Sequence, residues 1–213
     1  MRTPTRIAVL ASGTGTILEA LVAARLPIGV VLVDRPCRAA GVAEHNGLSL
    51  EVVRRSACDG LFDRESYTKD VVARLDPYRV SVVAMAGYAT VLGVAMHDAY
   101  PGRILNTHPS LLPRFKGWNA VEQALCAGVS ESGCTVHIAT EAVDEGPVLA
   151  AETVPVLAGD SAESLHERIK AVERRIYPAA VRRFLDDMAA DDRHAGDRAA
   201  GDRRAPADPD KSA

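Results

Sequence analysis

Short apolar runs rich in β-branched residues alternate with segments of helical period along most of the chain. The runs predict five strands, at residues 6–11, 29–34, 50–54, 80–86 and 103–108. Several of them are apolar almost throughout, which is typical of strands that are covered on both faces. Strands that alternate with helical segments predict a parallel sheet with crossover helices.

Helical segments lie between these strands and after the last of them. They predict four helices, at residues 16–25, 38–47, 66–76 and 119–128. Two further strands, at residues 133–140 and 147–156, then follow each other with no helix between them. Such a pair predicts an antiparallel element in the C-terminal part of the sheet. The expected fold class is α/β, an open, mostly parallel twisted sheet of about seven strands with a Rossmann-like arrangement.

The last long element is a predicted helix that starts near residue 160. Asp160 followed by Glu163 resembles a capping box at its start. An apolar stripe at positions i, i+4, i+7 and i+11 predicts that this helix packs on the sheet. The stripe consists of Leu165, Ile169, Val172 and Ile176.

The C-terminal segment, residues 189–213, has no aromatic residue and no aliphatic residue larger than alanine. Such a composition buries too little apolar surface to offset the chain entropy lost on folding. We therefore predict one folded domain at residues 1–188 and a disordered polar tail at residues 189–213.

Bulk properties narrow the choice of partner. The formal charge of −3, from 25 basic and 28 acidic residues, offers no electrostatic footprint for nucleic acid or an anionic membrane. No apolar run approaches the ~18 residues of a membrane span, and the N-terminal run is too short for a signal peptide. We expect a small-molecule partner and a cytoplasmic location. The four cysteines share no C-x-x-C spacing, so we predict reduced thiols with no disulfide and no metal.

A glycine-rich turn, SGTGT at residues 12–16, follows the first strand and opens the first helix. Backbone N–H groups and the helix dipole can hold a phosphate there, and Gly13 and Gly15 allow close approach. The dinucleotide fingerprint G-x-G-x-x-G is incomplete because Leu18 replaces its third glycine, although Asp34 stands where a ribose-binding acid belongs. The turn predicts a phosphate site of some kind, with a tight turn that binds nothing as the alternative.

The stretch RILNTHPSLLPRF places Asn106 and His108 two residues apart at the end of the fifth strand. Residues i and i+2 of a strand share a face, and ligands bind at the carboxyl ends of strands in open α/β sheets. An amide beside an imidazole suits a tetrahedral oxyanion, so the pair predicts acyl transfer. A cationic His108 needs a carboxylate, and Glu141, Asp144 and Glu145 are the candidates. Spacing does not choose among them, and a structural His108 that closes a turn is the alternative.

Nothing in the sequence indicates a covalent route. There is no G-x-S-x-G elbow, and no cysteine accompanies His108 in a recognisable signature. Direct attack by the nucleophile of the substrate is therefore expected. His137, within CTVHIAT, is interpreted as a strand residue with a satisfied hydrogen bond rather than a second catalyst.

Three stretches, IAVLASGTGT, LNTHPSLLPRF and GCTVHIATEAVDEGPVLA, together resemble the folate-dependent formyltransferases over roughly residues 6–186. The pattern N-x-H-P-S-L-L-P with a downstream D-x-G-P is the specific part of this resemblance. It is similar to the members that formylate phosphoribosylglycinamide in purine synthesis. The resemblance implies a formyltransferase fold for residues 1–188, with 10-formyltetrahydrofolate as co-substrate, glycinamide ribotide as acceptor and no metal. It also implies small-molecule partners only, in a monomer or homodimer.

The resemblance also implies roles for individual residues. Asn106 would help to hold the formyl oxygen, His108 would donate a proton and stabilise the oxyanion, and Asp144 would orient His108 and favour its charged form. The acceptor substrate would contact Gly13, Gly15, Thr16, Ile17 and Glu173. The folate would contact Arg64, Ala89, Thr90, Val91, Leu92, Asn106, Thr140 and Glu141.

The sequence departs from the family pattern at five positions. Ile17 replaces a frequent Asn, and Ala89 and Thr90 replace Met-Arg, so a side-chain contact to the substrate and a cation near the folate tail are missing. Lys116 and Asn119 stand where the family commonly has Pro and His. These changes leave a sugar-nucleotide or another amine open as the acceptor.

Three further alternatives are weighed against these motifs. Formyltransferases of initiator tRNA carry a further C-terminal domain, and formyltetrahydrofolate deformylases carry an extra N-terminal domain, and we expect neither here. A nucleotide-binding Rossmann domain without catalysis is the alternative outside the enzymes. The SGTGT turn and Asp34 favour it.

Overall fold

A computed structural model describes residues 5–55 and 62–201, with only the backbone described for residues 195–201. The chain divides into two compact units, Met1–Val181 and Arg182–Ala213. The strands are β1 Ile7–Ala11, β2 Ile28–Val33, β3 Leu50–Val52, β4 Val82–Met85, β5 Ile104–His108, β6 Glu131–Ile138 and β7 Val148–Pro155. The helices are α1 Thr16–Ala23, α2 Arg38–His45, α3 Arg64–Leu75, α4 Val94–Ala99, α5 Ala120–Cys126 and α6 Ala162–Gly201, with a 3₁₀ turn at Asp76–Tyr78.

The strands form one seven-stranded sheet in the order β3-β2-β1-β4-β5-β6-β7. The pairs from β3 to β5 are parallel, and β5–β6 and β6–β7 are antiparallel. The predicted fold class, including the antiparallel element, is therefore confirmed. The strand order reverses between β1 and β4, and in open α/β sheets ligands bind in the crevice at such a point. The loops after β1 and β4 meet there, since the N–H of Ser12 donates to the carbonyl of Gly87.

The central strands of the sheet are buried. Every residue of β1 is fully buried, as are Val82, Val83 and Ala84 of β4. Continuous apolar strands of this kind require cover on both faces, which the crossover helices supply. Tyr177 of α6 is fully buried, and its hydroxyl donates to the carbonyl of Leu105 at 2.9 Å. This contact fixes α6 against β5, the strand that carries Asn106 and His108.

Two helix starts differ from the predictions. Helix α3 begins at Arg64 because the side chain of Asp63 accepts from the N–H groups of Glu65 and Ser66. Helix α6 begins after Ser161, which exchanges hydrogen bonds of 3.0 and 3.1 Å with Ser164. The predicted capping box of Asp160 and Glu163 is therefore wrong by one residue. Asp160 instead accepts from Leu157 N–H and from Arg168.

Helix α4 was not predicted, because its six residues, VAMHDA, are too few to show a helical period. Helix α6 extends into the segment that was predicted as a tail. Its last residues are 189–201, and it ends at Gly201. Their alanines and arginines favour helix, and extending an existing helix avoids the cost of nucleation. Residues 202–213 lie outside the described residues. Among the helices that are described, none has the length and apolar character to cross a membrane.

The backbone of Gly15 has a conformation and a close contact that favour glycine, and a substitution can test this. It has a φ of 76°, and a Cβ added there would lie 2.8 Å from the backbone Cα of Ala39. We expect Gly15→Ala to lower the free energy of unfolding in urea by about 2 kcal/mol, because strain and steric conflict add. Gly41→Ala is the matched control, since an added Cβ in this exposed position of α2 meets nothing within 4 Å. Helix propensity predicts a gain of up to ~1 kcal/mol there. Equal effects of the two substitutions would contradict this account of the turn.

Candidate active site

Asn106 and His108 lie on one face at the carboxyl end of β5. Antiparallel pairing with β6 sets Asn106 opposite His137 and His108 opposite Thr135. His108 is buried, whereas Asn106 is half-buried. The polar pair predicted from spacing is therefore placed at the strand end that borders the crevice.

Both ring nitrogens of His108 face acceptors. Nδ1 lies 3.3 Å from Oδ2 of Asp144, and Nε2 lies 2.7 Å from the backbone carbonyl oxygen of Phe115. Only the imidazolium form can donate to both partners. Of the three acids that spacing left open, Asp144 is the one beside His108, and Glu141 and Glu145 are exposed.

Asp144 is a buried carboxylate held in a strained loop. Its φ is 57°, and its Oδ2 accepts from the N–H of Gly117 at 2.9 Å. Burial pushes the pKa of Asp144 up, but hydrogen bonds from His137 and Gly117 and the charge of His108 outweigh it, so the pKa is lowered. Asp144 is therefore ionised at neutral pH and can stabilise a charged His108.

His137 contacts two members of this cluster, which the sequence interpretation did not foresee. Its Nδ1 lies 3.1 Å from the carbonyl of Ile138, as expected for a strand residue with a satisfied hydrogen bond. Its Nε2 lies 3.3 Å from Nδ2 of Asn106 and 3.4 Å from Oδ1 of Asp144. A neutral ring accepts from Asn106, and an imidazolium donates to Asp144. The contact between His137 and Asn106 follows from the register of β5 with β6, which sets these two residues opposite each other. The sequence alone does not give this register.

The loop after β5 is tied to the loop that carries Asp144. Besides the Gly117 contact, Nζ of Lys116 lies 2.9 Å from Oε1 of Glu145. Phe115 and Asn119 have φ values of 55° and 59°, in the left-handed region that is unfavourable for residues other than glycine. Lys116, which differs from the residue common in the family, therefore forms an ion pair that joins the two loops.

The glycine turn is braced against helix α2. The carbonyl of Thr14 accepts from Arg38 at 2.7 Å, and the carbonyl of Gly13 accepts from Ala39 N–H at 3.1 Å. The first helical hydrogen bond of α1 runs from Glu19 N–H to the carbonyl of Gly15, so the N–H groups before Glu19 precede the helical ladder. Such donors, at the positive end of a helix, can hold an anion.

Thr16 and Ile17 open helix α1 behind this turn. The side chain of Ile17 is buried in the core, and Thr16 is half-buried. Ile17 can therefore offer a ligand only its backbone, which agrees with the side-chain contact that the sequence lacks there.

Asp34 is not available as a ribose-binding acid. It is only 1% exposed, and its carboxylate accepts from Arg35 and from the hydroxyl of Thr90 at 3.0 Å. A ribose hydroxyl would have to displace these partners to reach it. The observation that most favoured a dinucleotide-binding domain is therefore an internal contact.

Glu173 of α6 approaches β5 from the other face. Its carboxylate is hydrogen-bonded to the hydroxyl of Thr107, which itself contacts Sγ of Cys134 at 3.2 Å. Burial raises the pKa of Glu173 to about 7, although the Thr107 hydrogen bond and the charges of Lys170 and Arg174 lower it. These contacts do not fit a fully solvated position on the surface of α6.

The comparisons with known proteins agree with this geometry. Residues 5–181 match a protein family described as formyl transferase. The chain belongs to the formyl transferase family. A phosphoribosylglycinamide formyltransferase of Mycobacterium tuberculosis is 42% identical over 183 residues, which cover 84% of each chain. The crystal structure of glycinamide ribonucleotide transformylase 1 from Symbiobacterium toebii matches with a TM-score of 0.79 and 40% identity, over 86% of this chain and 88% of that one. A trifunctional purine biosynthetic protein of Bos taurus is 38% identical over 83% of this chain and 18% of its own length.

The remaining predicted contacts of this formyl transferase lie on exposed or loop positions. Arg64 is exposed at the first residue of α3, and Thr140 and Glu141 are exposed after β6. In the loop after β4, Leu92 is buried and Val91 is 37% exposed. Ala89 and Thr90 are held there by hydrogen bonds to other elements.

The cysteines and acids of this formyl transferase form no metal site among the described residues. Cys37, Cys126 and Cys134 are free thiols, of which Cys134 is buried and Cys126 exposed. Burial raises the pKa of Cys134 to about 12, so it stays a neutral thiol. Cys58 lies outside the described residues.

Glu173 gives the folded protein a pH dependence of known sign. Its pKa of about 7 lies above the ordinary 4.5, so the folded state favours the neutral carboxyl. The resulting stability is fully present below pH ~4.5 and is lost as the pH rises through ~7. We expect the free energy of unfolding of the wild type to fall relative to Glu173→Gln over this window, by at most about 3 kcal/mol. Urea titrations of both proteins between pH ~4.5 and ~8 measure the difference. A difference that does not change with pH would show that the carboxyl is solvated.

Proposed function

We propose that the chain transfers the formyl group of 10-formyltetrahydrofolate to the amine of 5-phosphoribosylglycinamide, a step of purine biosynthesis. The observation that carries the proposal is the contact between His108 and an ionised, buried Asp144, beside Asn106 at the crevice. The names of the similar proteins support phosphoribosylglycinamide as the acceptor of the formyl group.

Asn106 and His108 supply the stabilisation of the transition state. When the neutral amine attacks the formyl carbon, negative charge develops on the formyl oxygen. An imidazolium and an amide N–H that lie on one face of the strand can both donate to that oxygen. When His137 is neutral, the second N–H of the Asn106 amide can donate to its Nε2, which would keep the amide in one orientation.

His108 must exchange one partner during this reaction. Its Nε2–H donates to the carbonyl of Phe115 in the structure, and Nδ1–H is directed at Asp144. The formyl oxygen would take the place of the Phe115 carbonyl, while Asp144 keeps Nδ1 in position. The attacking amine loses a proton and the departing folate nitrogen gains one, and His108 or a water held by Asp144 can carry it.

The two substrates would occupy the loops that flank this centre. The phosphate of the ribotide would bind the backbone N–H groups of the glycine turn at the start of α1. The pterin would lie along the backbone of the loop after β4 and of residues 140–144, with Arg64 near the glutamate tail. Glu173, which is hydrogen-bonded to Thr107 on the other face of β5, is not assigned a contact to the ribotide.

A thermal-shift comparison tests the proposed ligands. We expect 10-formyltetrahydrofolate and glycinamide ribotide each to raise the melting temperature in a concentration-dependent way, because each binds only the folded state. NAD should have no effect, since Asp34 is occupied by Arg35 and Thr90. Stabilisation by NAD alone would overturn the proposal in favour of a dinucleotide-binding domain.

A further inference from the structure

A buried polar network lies beneath the loop after β4, at the crevice between β1 and β4. At its centre is Asp34, the residue after β2, which is only 1% exposed. Its two carboxylate oxygens accept from Nε and Nη2 of Arg35, each at 2.9 Å. It also accepts from the hydroxyl of Thr90 at 3.0 Å and from the hydroxyl of Ser12.

Ser12 extends the network to the backbone of the same loop. Its Oγ accepts from the N–H of Ala89 at 2.8 Å, and its own N–H donates to the carbonyl of Gly87 at 3.3 Å. Asp34 therefore reaches this loop in two ways, directly through Thr90 and indirectly through Ser12. Both hydroxyls donate to the carboxylate, which has only acceptors.

Helix α3 fastens the other side of the loop. Oγ1 of Thr68 accepts from Gly93 N–H at 2.8 Å, and Oε1 of Glu65 accepts from Ala95 N–H at 3.0 Å. The hydroxyl of Tyr88 is hydrogen-bonded to that of Tyr67. Residues 87–93, which we call the anchored loop, are thus held by polar contacts from β1, β2 and α3.

We propose that Asp34, acting through Ser12 and Thr90, is a positioning residue that shapes the anchored loop for binding the reduced folate. The inference rests on the proposed function, because it assumes that the backbone of this loop contacts the folate. Asp34 does not touch the ligand. It fixes Ala89 and Thr90, and thereby the backbone groups between them that a pterin would meet.

The charge of Asp34 suits this role. Burial alone would raise its pKa, but the hydrogen bonds from Arg35, Ser12 and Thr90 outweigh burial, so its pKa is lowered and the carboxylate is ionised. Hydrogen bonds to a charged acceptor are shorter and stronger than neutral ones. The hydroxyl of Thr90 is buried and donates to this carboxylate, so Thr90 acts as an anchor of the loop.

Thr90→Val and Ser12→Ala each remove one arm of the network without adding volume. We expect the Kd of 10-formyltetrahydrofolate, measured by calorimetric titration, to rise about tenfold in each variant, the scale for losing a hydrogen bond to a charged group. The Kd of glycinamide ribotide should change less than about twofold in Thr90→Val, because the proposed site of the ribotide is the glycine turn and not this loop. Thr90→Ser keeps the hydroxyl and should restore the Kd of the wild type. Thr153→Val, on the exposed face of β7, is the matched control.

Hydrogen exchange followed by mass spectrometry tests the anchor without any ligand. In Ser12→Ala and Thr90→Val, we expect the peptide that contains residues 87–93 to exchange faster than in the wild type. In Thr153→Val, its exchange rate should equal that of the wild type. A folate Kd that stays unchanged in both variants would overturn the inference, whatever happens to the melting temperature. A wild type that binds no 10-formyltetrahydrofolate would overturn the proposed function and this inference together. Faster exchange with normal folate affinity would reduce Asp34 to a purely structural residue and overturn the inference alone.

Discussion

Replacing His108 with alanine should lower turnover by on the order of a hundredfold or more, because it removes an oriented charged donor to the developing oxyanion. Asn106→Ala should have an effect of the same order, since the amide supplies the second donor. Steady-state assays at saturating concentrations of both substrates measure kcat. The loss should appear in kcat rather than in KM, because these donors act mainly on the transition state.

His45→Ala is the matched control for this experiment. His45 is an exposed residue at the end of α2, and its removal should leave kcat within about twofold of the wild type. Circular dichroism of all three variants shows whether they fold. Near-normal turnover in both His108→Ala and Asn106→Ala would remove the catalytic assignment of this strand end.

Asp144→Asn should have the second large effect, a loss of turnover of about a hundredfold or more. The substitution keeps the shape and can still accept from Gly117 N–H, but it removes the negative charge 3.3 Å from Nδ1 of His108. His108 then loses the partner that favours its charged form.

The contribution of Asp144 to the free energy of unfolding should change with pH in a defined direction. The pKa of Asp144 is lowered in the folded protein, so its contribution is present above the ordinary value of 3.8 and is lost as the pH falls through the folded-state value. The difference in unfolding free energy between the wild type and Asp144→Asn should therefore shrink in acid. Asp70→Asn, an exposed substitution on α3, is the control. A difference in unfolding free energy that does not change with pH would show that the folded protein does not lower the pKa of Asp144.

The sheet could be predicted because its strands are short, apolar and separated by turn residues. The alternation of strands and helices also predicted which part of the sheet is parallel. It predicted that β6 and β7 are antiparallel, because no helix separates those two strands. Helix α4 could not be predicted, because six residues are fewer than two helical turns. The extension of α6 was not predicted, because a low apolar content indicates only that a segment buries little surface. A helix that has already formed can continue through such a segment without a further nucleation step.

The candidate site shows the same division between local and non-local information. Asn106 and His108 could be found because they are two residues apart on one strand. Spacing alone did not choose Asp144 over Glu141 and Glu145. The resemblance to the formyltransferases indicated Asp144, and the left-handed turn there places its carboxylate beside His108.

Two other features depended on tertiary contacts. The contact of His137 with Asn106 depended on the register of β5 with β6. Asp34 was misread as a ribose-binding acid because its partner Thr90 lies 56 positions away in the sequence.

The most direct test of the account is an assay of formyl transfer from 10-formyltetrahydrofolate, with glycinamide ribotide and a sugar-nucleotide amine as parallel acceptors. Formylated product is identified by mass spectrometry, and the release of tetrahydrofolate gives the rate. We predict rapid formylation of glycinamide ribotide, which His108→Ala reduces by about a hundredfold or more, and little product from the sugar nucleotide. Formylation of the sugar nucleotide alone, or of neither acceptor, would contradict the account.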